Sequence, residues 1–359
     1  MNKARLQRRI PYLDILRVIA CMLVILIHTP IRQYETYYNT PSLAGAIYTV
    51  LVAVNCNLFF MITGALLLPV TRPGKRFVMR RLRVVLLPLV VWTVVYLLEH
   101  ALLLHNFTPR LLTSVLFHPV EGLLWYVYVL LVVYVTLPLV SKCIGAIGKR
   151  GVEVLLVLWV LSSFIPYQHG VFIEASQYSH NMFGAFANYY GYVLLGYYLH
   201  QYGLPCFSRG NVVKWVLLLA FGIVVMPLFE FLVQGNYGIT WQQHIDTITC
   251  DISINNIAMA TLFFVAVRHF APKSYDSHRH PSIALWLPML SIFTFGIYLS
   301  QMIVLRQIVW PLTASWLGTT HWVIDCLVSG ILTFVICFVI VAILRMLPFH
   351  KYIIGKMRV

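Results

Sequence analysis

Two ionisable side chains lie inside the first long apolar run of the chain, Arg17 near its start and His28 near its end. Eleven residues of α-helix bring two side chains to within ~20° of the same direction and place them ~16 Å apart along the axis. Ionisable groups in an apolar span usually face a cavity, a partner or a reaction path. Since imidazole can take a proton from a hydroxyl and return it near neutral pH, we interpret His28 as a candidate general base.

Asp14 precedes Arg17 by three residues and therefore lies on a neighbouring part of the same helix face. It either orients Arg17 or complements the N-terminus of the helix. Structural roles stay open for the other two groups as well. The His28 ring could be hydrogen-bonded within a helix bundle, and the Arg17 guanidinium could extend to the lipid headgroups.

The strongest basic cluster follows the second apolar run and contains Arg76, Arg80, Arg81 and Arg83. Guanidinium groups bind phosphate oxygens through paired hydrogen bonds, so the cluster is a candidate site for a phosphate-bearing donor such as coenzyme A. Attraction to anionic lipids, combined with control of membrane orientation, is the alternative. The sequence shows no glycine-rich phosphate loop, which disfavours ATP as the ligand.

The elements that must position these groups are membrane-spanning helices. The sequence is 60% hydrophobic and 10% charged, with a mean hydropathy of +0.82, whereas soluble domains carry roughly 25% charged residues. Ten apolar segments are each long enough to cross ~30 Å of hydrocarbon as a helix. We therefore predict an all-α, polytopic membrane bundle of about ten helices. The predicted spans are 12–32, 43–69, 78–98, 122–142, 152–168, 184–202, 211–233, 251–270, 284–305 and 321–347.

Most of the 26 Lys and Arg residues fall in alternate connections, which is typical of cytoplasmic loops. This asymmetry predicts that both termini lie in the cytoplasm, in short tails over about 1–11 and 348–359. The apolar segments are spread evenly with no long polar insert between them, which predicts a single domain over residues 1–359. The charge asymmetry also accounts for the net charge of +15, so nucleic acid is not an expected partner. The seven cysteines form no C-x-x-C pair, and His278 and His280 lack further ligands, so no metal site is predicted.

Several short motifs, taken in order, resemble the acyltransferase-3 family of integral membrane acyltransferases. Arg17-x10-His28, preceded by Tyr12-Leu-Asp14, is similar to the opening of that family. No single motif is specific, but their order and spacing are, and together they cover residues about 12–305. The other matches are Phe59-Phe60-Met-Ile-Thr63-Gly64, Arg80-Arg81-Leu-Arg83 with Pro88, Leu124-Trp125-Tyr126-Val-Tyr128 and Phe295-Gly296-Ile297-Tyr298-Leu299.

The resemblance implies transfer of an acyl group, commonly acetyl, from cytoplasmic acyl-CoA to hydroxyls of cell-envelope glycans at the bacterial inner membrane. It implies a site in which His28 acts with Arg17 and Asp14, either as a general base or, as an alternative, by accepting the acyl group covalently. The acceptor is left open among lipopolysaccharide O-antigen, enterobacterial-type glycans, peptidoglycan and exopolysaccharide. Donor contacts are expected from Arg76, Arg80, Arg81, Arg83 and Tyr298, and acceptor contacts from Glu121, Trp125 and Tyr126.

One position departs from the family pattern, since many members carry a histidine where this chain has Gln301, which we treat as accessory. The main alternative function is a polysaccharide exporter or a proton-coupled carrier, because a titratable stripe across a membrane also suits proton coupling. The inverted repeats and broken helix pairs of carriers are not evident in the sequence. Aromatic residues of the outer connections, such as Tyr37, Tyr38 and Trp241, form either an interfacial belt or a platform for sugar rings.

Overall fold

The computed structural model describes residues 9–33, 42–115, 118–162, 182–204, 253–275, 281–317 and 322–355, together with positions 214, 217, 218, 221 and 222. Throughout these ranges the regular structure is helical and no strand occurs, which confirms the all-α prediction. The helices are α1 (Pro11–His28), α2 (Leu43–Ala53), α3 (Asn55–Leu67), α4 (Gly74–Leu102), α5 (Pro109–Ser114), α6 (Trp125–Ser162), α7 (Met182–Gln201), α8 (Ile254–Phe270), α9 (Pro281–Val304), α10 (Trp310–Leu317), α11 (Trp322–Leu344) and α12 (His350–Ile353).

Helix α1 carries the Arg17–His28 stripe, and its ends follow from the local sequence. Pro11 occupies the first turn, where a missing backbone N–H leaves no hydrogen bond unmade. The helix ends at His28, and the chain tightens into a 3-10 turn over Thr29–Gln33. In that turn the Thr29 hydroxyl donates to the Leu26 carbonyl at 2.8 Å. The stripe is therefore held on one uninterrupted helix.

The second apolar segment is broken at Val54, between α2 and α3. A break in a membrane helix frees backbone groups that need new partners. The Asn55 side chain supplies them, because its amide nitrogen donates to the Val52 carbonyl at 2.7 Å and its oxygen accepts from the Cys56 N–H at 2.6 Å. One asparagine thus satisfies both sides of the break.

Helix α3 packs closely on α7 at two glycines. Gly64 lies against the backbone carbonyl of Val193, and Gly196 lies against the backbone of Met61, so that a Cβ at either glycine would collide. Small residues at such crossings let the backbones approach, and this maximises van der Waals contact where lipid offers no hydrophobic driving force.

Six described segments are long and apolar enough to cross a bilayer. The apolar helix Ile254–Phe270 is shorter. Helix α6 is interrupted at Gly148, where φ is +64° and the backbone is not helical, so its two parts correspond to the predicted spans 122–142 and 152–168. The predicted span 211–233 lies mostly outside the described residues. The number of ten spans and the cytoplasmic termini stay predictions. The six segments are Pro11–Ile31, Leu43–Leu67, Gly74–Leu102, Gly122–Ser162, Leu285–Ala314 and Trp322–Leu344.

Helix α9 is the inner element against which α1, α4 and α11 pack. Ser291 of α9 donates its hydroxyl to Asp14 of α1 at 2.6 Å. Further along both helices, the Cys21 thiol contacts the Thr294 carbonyl at 3.6 Å. Because residue numbers rise together in the two contacts, α1 and α9 run parallel. The stripe of α1 therefore faces α9 over much of its length.

Candidate active site

The three predicted catalytic residues differ in how they are buried. The Asp14 side chain is only 3% exposed, whereas the Arg17 side chain is 30% exposed although it belongs to an apolar, membrane-spanning helix. His28 is half-buried. Two of the three residues thus keep part of their surface exposed, and the third is sealed within the protein.

Asp14 is the centre of a hydrogen-bonded cluster at the start of α1. Arg9 donates from Nε at 2.9 Å and from Nη2 at 2.6 Å, which makes a bidentate pair with the carboxylate. The hydroxyls of Ser291 and Tyr275 donate at 2.6 and 2.7 Å. Arg17 donates from Nη1 at a longer 3.3 Å. We call these five residues the Asp14 cluster.

Tyr275 lies after α8, outside the membrane-spanning helices. Burial raises the pKa of its phenol, and the neighbouring Asp14 carboxylate raises this pKa further. The phenol therefore remains protonated and acts as a donor to Asp14. The cluster ties α1 to α9 and to the segment that follows α8. Sequence reasoning paired Asp14 with Arg17, but Arg9 is the closer arginine.

Arg17 has few partners. Its contact with Asp14 is the one hydrogen bond that it makes with the described residues. The hydroxyls of Tyr126 and Tyr134 are close enough to interact with its guanidinium electrostatically. Arg81 of α4 approaches the same tyrosine, with its guanidinium carbon 6.0 Å from the ring centroid of Tyr134. Two arginines from different helices thus converge on Tyr134.

The four arginines of the α4 cluster do not share one environment. Arg81 is half-buried and also lies 5.7 Å from the ring centroid of Phe77. Arg80 is half-buried as well, while Arg76 and Arg83 are exposed. Successive helical residues point 100° apart, so consecutive basic residues cannot all face the interior. Of the four residues, Arg81 is the one that the fold brings towards Arg17.

An aromatic layer, formed by Phe60, Trp125, Tyr126, Tyr189 and Tyr298, fills the bundle beside α1. Tyr126 lies 4.9 Å from Phe60 and 5.7 Å from Tyr298, measured between ring centroids. Tyr189 lies 4.7 Å from Phe60 and 5.3 Å from Trp125.

The depth of the aromatic layer follows from its contacts with α1 and the neighbouring chain. Tyr298 donates to the carbonyl of Leu123 and interacts electrostatically with the thiol of Cys21. Tyr126 interacts in the same way with Arg17. Since Cys21 follows Arg17 by four residues in α1, Tyr126 and Tyr298 lie beside the part of α1 between these two residues.

His28 closes the stripe at the C-terminal end of α1. No other residue in the described part of the chain makes a hydrogen bond to its ring, and the residue is half-buried. An imidazole without a hydrogen-bond partner can accept or donate a proton without first breaking a protein contact. The local geometry therefore suits proton transfer at this position.

A second ionic cluster lies at the other end of α9, around the π-helical turn Leu305–Val309. Arg306 donates to Glu99 at 3.2 Å and to Glu121 at 3.1 Å, and Gln307 donates to Glu99 at 2.9 Å. His100 Nε2 lies 3.6 Å from Glu121. Glu121, which is predicted to contact the glycan substrate, thus accepts a hydrogen bond from an arginine. Sequence reasoning missed Glu99 as its partner within this cluster.

The remaining predicted features are placed as follows. Within the described ranges, no group of three or more His, Cys, Asp or Glu side chains could hold a metal ion. The aromatic residues Tyr37, Tyr38 and Trp241 lie outside the described residues.

The apolar helices and the charged groups held between them define a multi-pass membrane protein. The model of the acyltransferase-3 family, described as an acyltransferase domain, matches residues 10–342. The chain therefore belongs to this family and is a membrane acyltransferase. Comparison with curated proteins and with solved structures gave no match.

Proposed function

We propose that the protein transfers an acyl group, most simply acetyl, from cytoplasmic acyl-CoA to a hydroxyl of a cell-envelope glycan at the bacterial inner membrane. The observation that carries the proposal is that Arg17, with one long contact to Asp14, and the unpaired His28 lie half-buried on one face of α1. The pantetheine arm of coenzyme A is roughly as long as the ~16 Å between them.

The donor enters from the cytoplasmic end of α1. Arg81 and Arg17 bind its phosphates or its pantetheine amides, since both converge on Tyr134 and Arg17 has donors to spare. Positive charge at the cytoplasmic end of the donor path comes from Arg80 and from the exposed Arg76 and Arg83, and this charge attracts an anionic ligand.

The arm then passes the aromatic layer, in which Tyr298 and Tyr126 contact it. Asp14 acts as a positioning residue, because it holds the N-terminal end of α1 against α9 and contacts Arg17. The thioester is thereby delivered to the depth of His28.

The chemical step is an acyl transfer in which His28 moves one proton. An unprotonated nitrogen of the ring accepts the proton of the acceptor hydroxyl, and the hydroxyl oxygen attacks the thioester carbonyl carbon. The tetrahedral intermediate collapses with cleavage of the C–S bond. The imidazolium then returns its proton to the departing thiolate, which leaves an ester on the glycan and free coenzyme A thiol.

The acceptor approaches from the side of the second ionic cluster. Trp125 offers an aromatic face for a sugar ring. Glu121 accepts hydrogen bonds from sugar hydroxyls with the oxygen lone pairs that Arg306 leaves free.

Acyl transfer by the purified protein in lipid nanodiscs tests the proposal. Radiolabelled acetyl-CoA and an envelope glycan fraction are expected to give labelled glycan, and mass spectrometry should locate the ester. Envelope glycans from cells without the protein should lack that ester. Movement of glycan across the membrane without consumption of donor would instead favour a carrier.

Arg81 and Arg83 make a matched pair for testing the donor path. Replacing Arg81 by Met should raise the KM for acetyl-CoA about tenfold or more, because a charge-assisted hydrogen bond contributes about 1.5–3 kcal/mol. The Arg83→Met variant loses the same charge at an exposed position and should shift this KM about twofold at most. Steady-state kinetics with varied donor measure both values, and equal values in the two variants would contradict this donor path.

A further inference from the structure

Gln301 of α9 is a buried amide that the proposed mechanism has not used. The residue is 1% exposed, and neither its Oε1 nor its Nε2 has a hydrogen-bond partner within the described part of the chain. A buried amide without partners lowers stability, so natural structures satisfy nearly all such groups. An amide left in this state is a candidate for binding a group that is present only during the reaction.

The position of Gln301 follows from the parallel packing of α1 and α9. Cys21 contacts the carbonyl of Thr294 at 3.6 Å. The thiol of Cys337 in α11 lies near Cys21 and is hydrogen-bonded by Ser300, so the residue before Gln301 is close to the depth of Cys21. His28 lies seven residues, ~10.5 Å, further along α1. The unpaired amide therefore lies between the depths of Cys21 and His28, on the helix that packs beside them.

The face of Gln301 is also consistent with this placement. Ser300 and Gly296 of α9 contact Cys337 and Val341 of α11. Gln301 is rotated 100° from Ser300, towards the face that Thr294 presents to α1.

We propose that Gln301 is a further catalytic residue, whose side-chain amide donates a hydrogen bond to the acyl carbonyl oxygen while His28 handles the proton. The inference rests on the proposed acyl transfer. When the acceptor oxygen bonds to the carbonyl carbon, the carbonyl oxygen gains negative charge, and it loses this charge when the C–S bond breaks. A fixed donor aimed at that oxygen stabilises the transition state. An amide suits this role because it donates without competing for the proton that His28 carries.

Replacing Gln301 by Met keeps the length of the side chain and removes the donor. Loss of one oxyanion donor typically lowers kcat about 10²–10³-fold, so Q301M should lower kcat about 10²-fold with little change in the KM for acetyl-CoA. Its melting temperature should equal or exceed that of the unchanged protein, because an unpaired buried amide is removed. Q307M is the matched control for stability, since Gln307 is bonded to Glu99 and its loss should lower the melting temperature.

A second variant separates a donor from an acceptor at this position. Q301E keeps the size and an accepting oxygen, but its carboxyl group can donate only while it is protonated, so its kcat should fall about 10²-fold or more once the pH is high enough to ionise that group. A fully active Q301M, or a Q301E whose kcat does not fall at high pH, would overturn the proposal. A Q301M that melts lower than the unchanged protein and loses activity only in proportion to its unfolded fraction would assign Gln301 a structural role and overturn it too.

The unchanged protein in the same assay distinguishes the two levels of inference. An active unchanged protein with an equally active Q301M would overturn only the role of Gln301. An unchanged protein that transfers no acyl group to any glycan fraction would overturn the proposed function, and the role of Gln301 with it.

Discussion

Replacing His28 by Ala is expected to lower kcat for acyl transfer about 10³–10⁴-fold, in the upper part of the range for loss of a general acid–base. The expected loss is large because the ring both takes the proton of the acceptor hydroxyl and returns it to the thiolate. Binding of donor should persist, since Arg17 and Arg81 lie far from His28 along the passage. Rates of labelled glycan formation measure the first effect, and equilibrium binding of acetyl-CoA measures the second.

The folded state should be largely insensitive to the same replacement. His28 makes no hydrogen bond within the described residues, so its loss breaks no network. His105→Asn is a suitable control, because His105 is exposed in a loop with a positive φ of 51°, a conformation that Asn tolerates. H105N should keep full activity. A His28→Ala protein with undiminished transfer would remove the general base from the mechanism.

Replacing Asp14 by Ala should lower the free energy of unfolding by about 3–5 kcal/mol, the usual effect of removing one partner of a buried ion pair. The two side chains of the Arg9–Asp14 pair are 13% and 3% exposed. Without the carboxylate, the Arg9 guanidinium stays in this poorly solvated site without its partner. The hydroxyls of Ser291 and Tyr275 lose their acceptor at the same time. Denaturant titration of the detergent-solubilised protein measures the change.

A double-mutant cycle isolates the origin of that loss. Arg9→Met combined with Asp14→Leu removes both charges and fills the space with apolar atoms, so the double variant should be more stable than Asp14→Leu alone. Arg17→Met should change stability much less, because Arg17 is 30% exposed and its contact with Asp14 is 3.3 Å long. A loss below about 1 kcal/mol for Asp14→Ala would show that the cluster is not an anchor.

The helices themselves could be predicted from the sequence, because hydropathy is a local property. Helix α1 (Pro11–His28) lies within the predicted span 12–32 apart from its first residue, and the Arg17–His28 stripe needed only helical spacing. The predicted connection between the spans 122–142 and 152–168 contains Gly148, where the helix is interrupted, because glycine adopts the positive φ of +64° without a clash of a Cβ atom.

The Asp14 cluster could not be predicted because its partners are distant in the chain. Ser291 and Tyr275 lie more than 250 residues beyond Asp14, and no local pattern pairs them. The pairing of Asp14 with the nearby Arg9 could have been predicted, since a basic residue just before a helix can reach an acid in its first turn. The different surroundings of the α4 arginines could have been predicted too, because Arg81 and Arg83 are 200° apart on a helix.

The aromatic layer gives the proposed passage one more property. A protein open to water from both faces of an energised membrane would let protons leak down their gradient. The layer's rings, packed 4.7 to 5.7 Å apart between centroids, leave little room for water between one another. We therefore expect the resting protein to be electrically insulating, with the slender, uncharged pantetheine chain able to part the rings without carrying ions along.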